Sequence, residues 1–362
     1  MEIGVPLAVF LWLIAAVLVI VTLLPFSQSR RWWVRIWDFP RVQTATCLAL
    51  AIAAFLALPV PGRWLALPPL VAALVWQAWR IKPFTPLAAK EMELAAARDP
   101  ATDITFLAAN VQMENTDHAR VARLIEELEP DVLLLMETDS RWIEAMDTLL
   151  RDWPTVLRIP QDNYYGMLFA TRLDVEHARE VHLTPDETPA VHAILSDRQG
   201  RRFGFLGLHP RPPVPGEDTE ERDAEILHSA LCARDSGLPV VVMGDFNDAA
   251  WSPTARRFKE VGRYLDPRVG RGLFSSHDAN HALLRTPIDQ VHITDDVALV
   301  EFSRGPHIGS DHFPMITRLR FDPDLAARLN ITPAQPSEEA QAMMERTLKA
   351  YREKLDAAQK SD

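Results

Sequence analysis

The sequence predicts an α/β fold preceded by an apolar helical region. Three observations carry this expectation. Pro239-Val240-Val241-Val242-Met243 is a short apolar run rich in β-branched residues, which reads as a strand buried on both faces. Other such runs alternate with segments whose apolar residues recur at helical spacing. Ahead of all of them, residues 1–81 are dominated by long apolar stretches.

The central strand ends in Gly244, Asp245, Asn247 and Asp248. A carboxylate and a carboxamide at the carboxyl end of a buried strand stand where open α/β sheets hold their chemistry. An Asx-turn, with Asp and Asn bonding their own backbone, accounts for the same residues without function. Gly309-Ser310-Asp311-His312-Phe313-Pro314 then precedes an alternating strand, Met315 to Phe321. An adjacent Asp-His pair at a strand entrance supplies an oriented imidazole or a metal ligand.

Composition narrows the classes. A length of 362 residues suggests more than one unit. A net charge of −11 argues against a non-specific nucleic-acid binder, whose affinity comes from neutralising phosphates. Cys47 lies in an apolar run and Cys232 in a helix-like run, which gives neither a disulfide framework nor a thiolate metal site.

Gly4 to Leu24 is almost wholly apolar, and about 20 such residues span a bilayer as a helix. No basic segment precedes it and no small-residue cleavage site follows, so an uncleaved membrane helix is expected. Ser27 to Gln43 carries Arg30, Arg31, Arg35 and Arg41 with Trp32, Trp33 and Trp37, the pattern of an amphipathic segment on the headgroups. Further spans are expected over 44–60 and 65–79, the last opened by Pro68-Pro69. Charge bias puts the Arg-rich loop in the cytoplasm. Three spans then put the rest of the chain there as well, whereas two put it outside.

Residues 82–101 read as a linker, helical around Ala88 to Arg98. The region 102–322 follows as the soluble domain, and 323–362 as a charged helical tail. Ile104 to Ala109 is a strand ending at Asn110, and Asp131 to Met136 a strand ending at Glu137. Between them Val121, Leu124, Ile125 and Leu128 mark a helix. Two strands ending in oxygen donors suit a hard cation such as Mg²⁺, which keeps several waters. Met167 to Ala170 is another strand, and Val191 to Leu195 pairs with Phe203 to Leu208 around Asp197-Arg198-Gln199-Gly200. The second of the pair ends at His209, in a rigid loop with Pro210, Arg211, Pro212 and Pro213. Glu217 to Asp235 is a helix, a further helix starts at Ser252-Pro253, and Pro287 to Ile293 is a strand carrying Asp289, Gln290 and His292. Gly262 to Leu284 reads as a loop near the pocket, with His277 and His281 as surface residues. In the tail, Met344, Leu348, Tyr351 and Leu355 form one apolar stripe that packs on the domain or a partner.

The motifs GDFND and GSDHFP, with ANVQMEN, LLME and LGLHPRPP in the expected order, resemble the endonuclease/exonuclease/phosphatase superfamily over roughly Thr102 to Arg320. The HPxPP form resembles a bacterial, often membrane-anchored branch. The resemblance implies a two-sheet α/β sandwich with helices on both outer sides. It also implies a Mg²⁺-dependent (or Mn²⁺-dependent) hydrolase acting on phosphate esters, with Asn110, Glu137 and Asp311 at the metal. His209, Asp245, Asn247, Asp289 and His312 would be catalytic: His209 and Asn247 on the phosphoryl oxygens, Asp245 near the attacking water, Asp289 orienting His312. Either Asp245 or the Asp289–His312 pair is the base. Gln112 departs from the pattern, since many family nucleases carry an acid there.

The expected function is therefore a phosphoesterase anchored in a bacterial cytoplasmic membrane. Its partners would be the bilayer and a phosphate-containing substrate, with a lipid-linked phosphate or pyrophosphate suggested by the anchor. The alternatives are a membrane-tethered nuclease, which the net charge does not favour, and a tethered binding domain with a degenerate site.

Overall fold

Where apolar residues occupy every position of a strand, both of its faces need cover, and the architecture follows from that demand. A computed structural model describes residues 4–27, 29–184 and 188–359, with all their side chains except those of 232–235 and 354–359. The chain opens with α1 (Val5–Leu23), the single-turn α2 (Trp32–Arg35), α3 (Arg41–Ala57) and α4 (Arg63–Ile81). Next come β1 (Asp103–Asn110), α5 (His118–Leu128), β2 (Val132–Met136), α6 (Ser140–Asp147), β3 (Thr155–Ile159), β4 (Met167–Thr171) and β5 (Asp174–Val181). Then follow β6 (Ala190–Ser196), β7 (Arg202–Leu208), α7 (Glu220–Ser236), β8 (Val240–Asp245), α8 (Pro253–Gly262) and β9 (Asp289–Ile293). The last elements are β10 (Ala298–Arg304), β11 (Met315–Arg320), α9 (Pro323–Leu329) and α10 (Glu338–Gln359).

The strands form two mixed sheets, ordered β10-β11-β1-β2-β4-β3 and β5-β6-β7-β8-β9. Alternation along each strand divides its side chains between two cores. From β1, Phe106 and Ala108 enter the core between the sheets, where they join Leu134, Phe169, Phe205, Val241, Met243 and Val291. Leu107 and Ala109 point the other way, beneath Val121, Ile125, Trp142 and Met146 of α5 and α6. On the opposite side, Val240 and Val242 of β8 pack with Ile226 of α7, Phe258 of α8 and Met344 of α10. The result is four layers, helix, sheet, sheet, helix. The tail stripe thus covers its own domain, through buried Met344 and Tyr351 and half-buried Leu348. The Leu355 side chain lies outside the described set, as does that of Cys232.

The expected helix around Ala88 to Arg98 is absent. Met92 bridges Asn330 and Leu94 bridges Leu299, so this segment runs extended across the sheet edge. Met92 is fully buried in the inter-sheet core, and an extended chain is what delivers it there.

At the N-terminus, α1, α3 and α4 pack through Ala15, Leu48, Ala51, Phe55, Ala66 and Leu70. Their outer faces leave Phe10, Leu13, Val17, Leu50, Leu56, Leu65 and Val75 exposed. The segment Val5–Ser27 is by itself long and apolar enough to cross a membrane. The stretch Arg41–Ala57 reaches that standard only together with Trp32–Asp38, across a bend of 76°. The helix α4, with Pro68 and Pro69 inside it and Arg63, Gln77 and Arg80 along it, does not reach it alone.

Two of the arginines expected on the headgroups, Arg35 and Arg30, bind the sandwich, as does Arg80 at the end of α4. Arg35 is buried, 3.4 Å from Asp38, 3.8 Å from Asp248 and 3.9 Å from Asp223, and donates to Thr254 at 3.0 Å. Arg30 pairs with Glu220, and Arg80 donates to the Trp251 carbonyl. Arg41 meets Asp38 at 2.6 Å and Gln77 at 3.0 Å. A buried guanidinium needs carboxylates around it, and Asp38 on the same segment, Asp223 of α7 and Asp248 after β8 supply them, with the Thr254 hydroxyl of α8 as a further acceptor. The end of α1, the start of α3 and the end of α4 therefore all abut the sandwich, so it lies on the same side of the helices as the Arg-rich segment.

Candidate active site

Six strand ends converge at one edge of the sandwich. β1, β2, β7 and β8 finish there, which brings Asn110, Glu137, His209 and Asp245 together. β9 runs antiparallel to β8 and β11 antiparallel to β1, so their first residues lie at the same edge. Asp289 is the register partner of Asp245, and His312 sits just before β11.

Asp245 is the hub. Its Oδ2 accepts from Asn110 Nδ2 at 3.1 Å and lies 3.6 Å from His312 Nε2 and 3.8 Å from His209 Nε2. Its Oδ1 accepts the Asn247 N–H at 2.9 Å. Asn110 Nδ2 also donates to Glu137 Oε1 at 2.8 Å, and Glu137 Oε2 accepts the Met113 N–H at 3.2 Å. Asp289 Oδ2 is 2.7 Å from His312 Nδ1, and Asn247 Nδ2 donates to the Pro210 carbonyl at 3.0 Å, tying the turn after β8 to the proline-rich loop.

The backbone is shaped to aim these groups. Gln112, Glu137 and Asn247 adopt left-handed φ angles of 58°, 62° and 46°, a conformation that costs energy for residues with a Cβ. Ser310 Oγ donates to the Asn110 carbonyl at 2.8 Å and accepts the His312 N–H at 2.9 Å, joining the first and last motifs. Gln112, in the place of an acid, accepts the Asp311 N–H through Oε1 at 3.1 Å. Asn115 donates to the carbonyls of Val111 and Ile308 and holds the same two loops together.

Electrostatics separates the groups. Burial works against the His312 cation, but Asp289 and Asp245 outweigh it and raise the pKa to about 10. Burial likewise opposes ionisation of Asp245, yet His312, His209 and the Asn247 N–H hold its carboxyl below the usual range. Glu137 goes the other way: burial pushes its pKa up, and His209, Asn110 and His312 only partly offset this. A carboxylate so placed is short of positive charge, which a divalent cation would supply. Among the described residues, two clusters of three have ligand atoms within 4.8 Å of one another: His277–Asp311–His312 and Asp245–Asp289–His312. Glu137 belongs to neither, and the Asn110 oxygen already accepts the Gln112 N–H at 3.0 Å.

Sequence reasoning missed His277. Expected at the surface, it lies with Nε2 at 3.7 Å from Asp311 Oδ2 and its ring centroid 4.7 Å from that of His312. No spacing pattern marks it, because the loop that carries it is irregular. Its neighbour Ser276 accepts the Asp289 N–H through Oγ at 3.1 Å, so this loop helps fix the Asp289–His312 pair. His281 is exposed and bonds Asp278, as a surface residue does. Across the site, the Tyr165 ring lies 5.6 Å from His209, with the Arg211 guanidinium 5.6 Å from that same tyrosine ring. Asp248 is turned away from this edge, within reach of Arg35 and Arg222 at 3.8 and 3.6 Å.

A family model described as the Endonuclease/Exonuclease/phosphatase family matches residues 107–312, from inside β1 to His312 itself. The chain belongs to this family. Members are hydrolases acting on phosphate ester bonds, generally with a divalent metal, and this protein is an enzyme of that class, a phosphoesterase or nuclease. No curated protein matches the chain in sequence. Among solved structures, D. rerio TDP2 complexed with a single-strand DNA product is similar at 12% identity and a TM-score of 0.49, over 60% of this chain and 99% of that one. A family protein of Bacteroides vulgatus is similar at 18% identity and a TM-score of 0.49, over 60% and 99%. A mannosyl-6-phosphatase of Bacteroides thetaiotaomicron is similar at 15% identity and a TM-score of 0.46, over 60% and 100%.

Proposed function

We propose that this protein is a membrane-tethered, Mg²⁺-dependent phosphoesterase that hydrolyses a phosphate ester or pyrophosphate bond of a lipid-linked substrate. The observation that carries this reading is the buttressing of the family site against an apolar helical bundle. Arg35, between α1 and α3, is held by Asp248 in the turn after β8, by Asp223 of α7 and by Thr254 of α8, and Arg30 pairs with Glu220 of α7. With all three long helices in a bilayer, the site is held close to the headgroups, and the protein is a multi-pass protein of the bacterial cytoplasmic membrane.

In this reading Glu137 is the principal metal ligand, with Asp311 nearby and Asn110 fixing the Glu137 carboxylate. A divalent ion such as Mg²⁺ held there would supply Lewis-acid polarisation of a phosphoryl oxygen. Asp245, kept ionised, accepts a hydrogen bond from the attacking water and orients it. His312, kept protonated by Asp289, donates through Nε2 to the developing charge, as do His209 and Asn247. In this reading His312 is the donor and Asp245 the base.

A pH experiment checks this division of roles. A group that must be protonated loses its contribution as pH rises through its pKa, so the alkaline limb of the rate profile belongs to His312, whose pKa is raised to about 10. Asp289→Asn removes the main influence that raises it and should move that limb down by ~1 unit or more. A limb that stays in place would exclude His312 as the group responsible.

The substrate class is tested with the full chain in detergent micelles. Release of phosphate from phosphatidic acid, hydrolysis of a water-soluble phosphodiester and cleavage of single-stranded DNA are compared with Mg²⁺, with chelator, and in Glu137→Gln. Mg²⁺-dependent release from the lipid is expected. It should vanish with chelator and fall in Glu137→Gln by more than the ~100-fold typical of an outer-shell partner. Cleavage of DNA alone would make the protein a tethered nuclease, and turnover of none of the three would favour a binding domain.

A further inference from the structure

Beside the site lies a groove of about 940 Å³, between the first turns of α3 and the loop that carries His277. Its walls are apolar: Val42 and Cys47 from α3, and Leu273, Phe274 and Leu283 from the loop. Arg285 and Arg304 also line it. Both guanidiniums lie over Phe313, at 4.9 and 4.1 Å from the ring centroid, and Phe313 directly follows His312. Ser275 lines the groove while its neighbour Ser276 holds Asp289, so groove and site share one wall.

Among the described residues, no carboxylate pairs with either arginine. Arg304 donates to the Ser275 carbonyl at 2.7 Å and Arg285 to the Ala279 carbonyl at 3.2 Å, and Arg285 Nε is buried with no hydrogen-bond partner. Burial first, and then the charge of Arg285, lower the pKa of Arg304, as expected for two neighbouring cations short of negative charge. The groove also faces the bundle. Gln43 Nε2 on α3 donates to the Leu283 carbonyl at 3.0 Å and sits 3.3 Å from that of Arg285, which places the loop tip against α3. Leu283 and Leu284 at that tip are 86% and 60% exposed. Apolar walls opening toward the helical bundle, with two cations that no described carboxylate meets, suit a molecule that is apolar along its length and anionic at its head. A nucleic acid strand would set its phosphates against the apolar walls.

We propose that this groove binds one phosphate-bearing membrane lipid, its chain against Val42, Cys47, Leu273 and Phe274 and its phosphate drawn to Arg285 and Arg304 beside His312. The inference rests on the phosphoesterase reading only for what becomes of that lipid. Binding itself is a separate property, and the groove then sets the substrate class by admitting the chain laterally from the bilayer.

Cys47 lines the groove and is exposed, so its alkylation reports occupancy. Maleimide labelling of Cys47 is followed on the full chain in micelles, in a Cys232→Ser background, with phosphatidic acid, diacylglycerol or inorganic phosphate added. Phosphatidic acid should slow labelling roughly 10-fold when present at about 10 times its Kd. Diacylglycerol and inorganic phosphate should leave the rate unchanged, and Arg285→Gln with Arg304→Gln should remove the protection. Equal rates with phosphatidic acid and diacylglycerol overturn the proposal, and that comparison needs no variant to fold. Protection without phosphate release would keep the groove and remove the proposed activity. Release without protection would do the reverse.

Discussion

Asp245→Asn lowers phosphoester hydrolysis by on the order of 10³-fold or more while the protein stays folded. The carboxylate faces hydrogen-bond donors and cations throughout: Asn110 Nδ2, the Asn247 N–H, and the two imidazoles at 3.6 and 3.8 Å. An amide at this position turns one acceptor into a donor amid other donors, and it removes the charge that helps keep His312 protonated. In one change, water loses its acceptor and the His312 cation loses one of the two carboxylates that hold its proton. Stability responds differently, because burial of a carboxylate is itself costly and the substitution relieves that cost. The check is phosphate release measured alongside the thermal midpoint. Activity within tenfold of wild type would remove Asp245 from the scheme, whereas loss of activity together with a collapsed midpoint would point to misfolding.

Gly244→Ala has the largest expected effect on the fold itself. Gly244 adopts φ 148°, and a Cβ placed there would lie 1.9 Å from the Leu208 carbonyl oxygen. That atom belongs to the backbone of β7, which pairs with β8 in register, so neither side can give way without breaking the sheet. The strained conformation together with the clash should cost on the order of 4 kcal/mol, a large part of the stability of a typical domain. The site would fail as well, since His209 and Asp245 follow the two residues in conflict. Urea denaturation of the variant should show a much lower midpoint, and an unchanged midpoint would mean that the β7–β8 register does not hold. The same reasoning explains the glycine of the GDFND motif: it permits close approach of two strands at the point where their ends carry His209 and Asp245.

How legible the molecule was depends on the kind of signal. Continuous apolar strands announced themselves, and β1, β2, β4, β8 and β9 lie where the apolar runs put them, all but β4 ending or beginning at or next to a candidate site residue. Edge strands were harder to read. β5 has the sequence DVEHAREV with no residue fully buried, because one of its edges is unpaired and its faces are half open to water. β3, outermost in the other sheet and half open, went unread for the same reason; β10, at that sheet's far edge, went unread although Ala298, Leu299, Val300 and Phe302 are buried. The segment around Met92 carries helix-forming alanines and glutamates, yet core burial of one methionine and pairing at a sheet edge override that local preference.

What the sequence determined by itself was the set of chemical groups, their order, and the strands that carry them to one edge, because strand period and turn chemistry are local properties. Tertiary structure alone decided three things. His277 joined the site through a loop with no periodicity to read, brought to Asp311 by the position of its neighbours. The arginines of the α1–α3 segment became the clasp between bundle and sandwich, because only folding gathers Asp38, Asp223 and Asp248 around Arg35. Arg285 and Arg304, distant in sequence and unremarkable there, met over Phe313 beside an apolar groove. Charge acts through space, and the partners that give a charged residue its meaning are set by the packing of the whole chain.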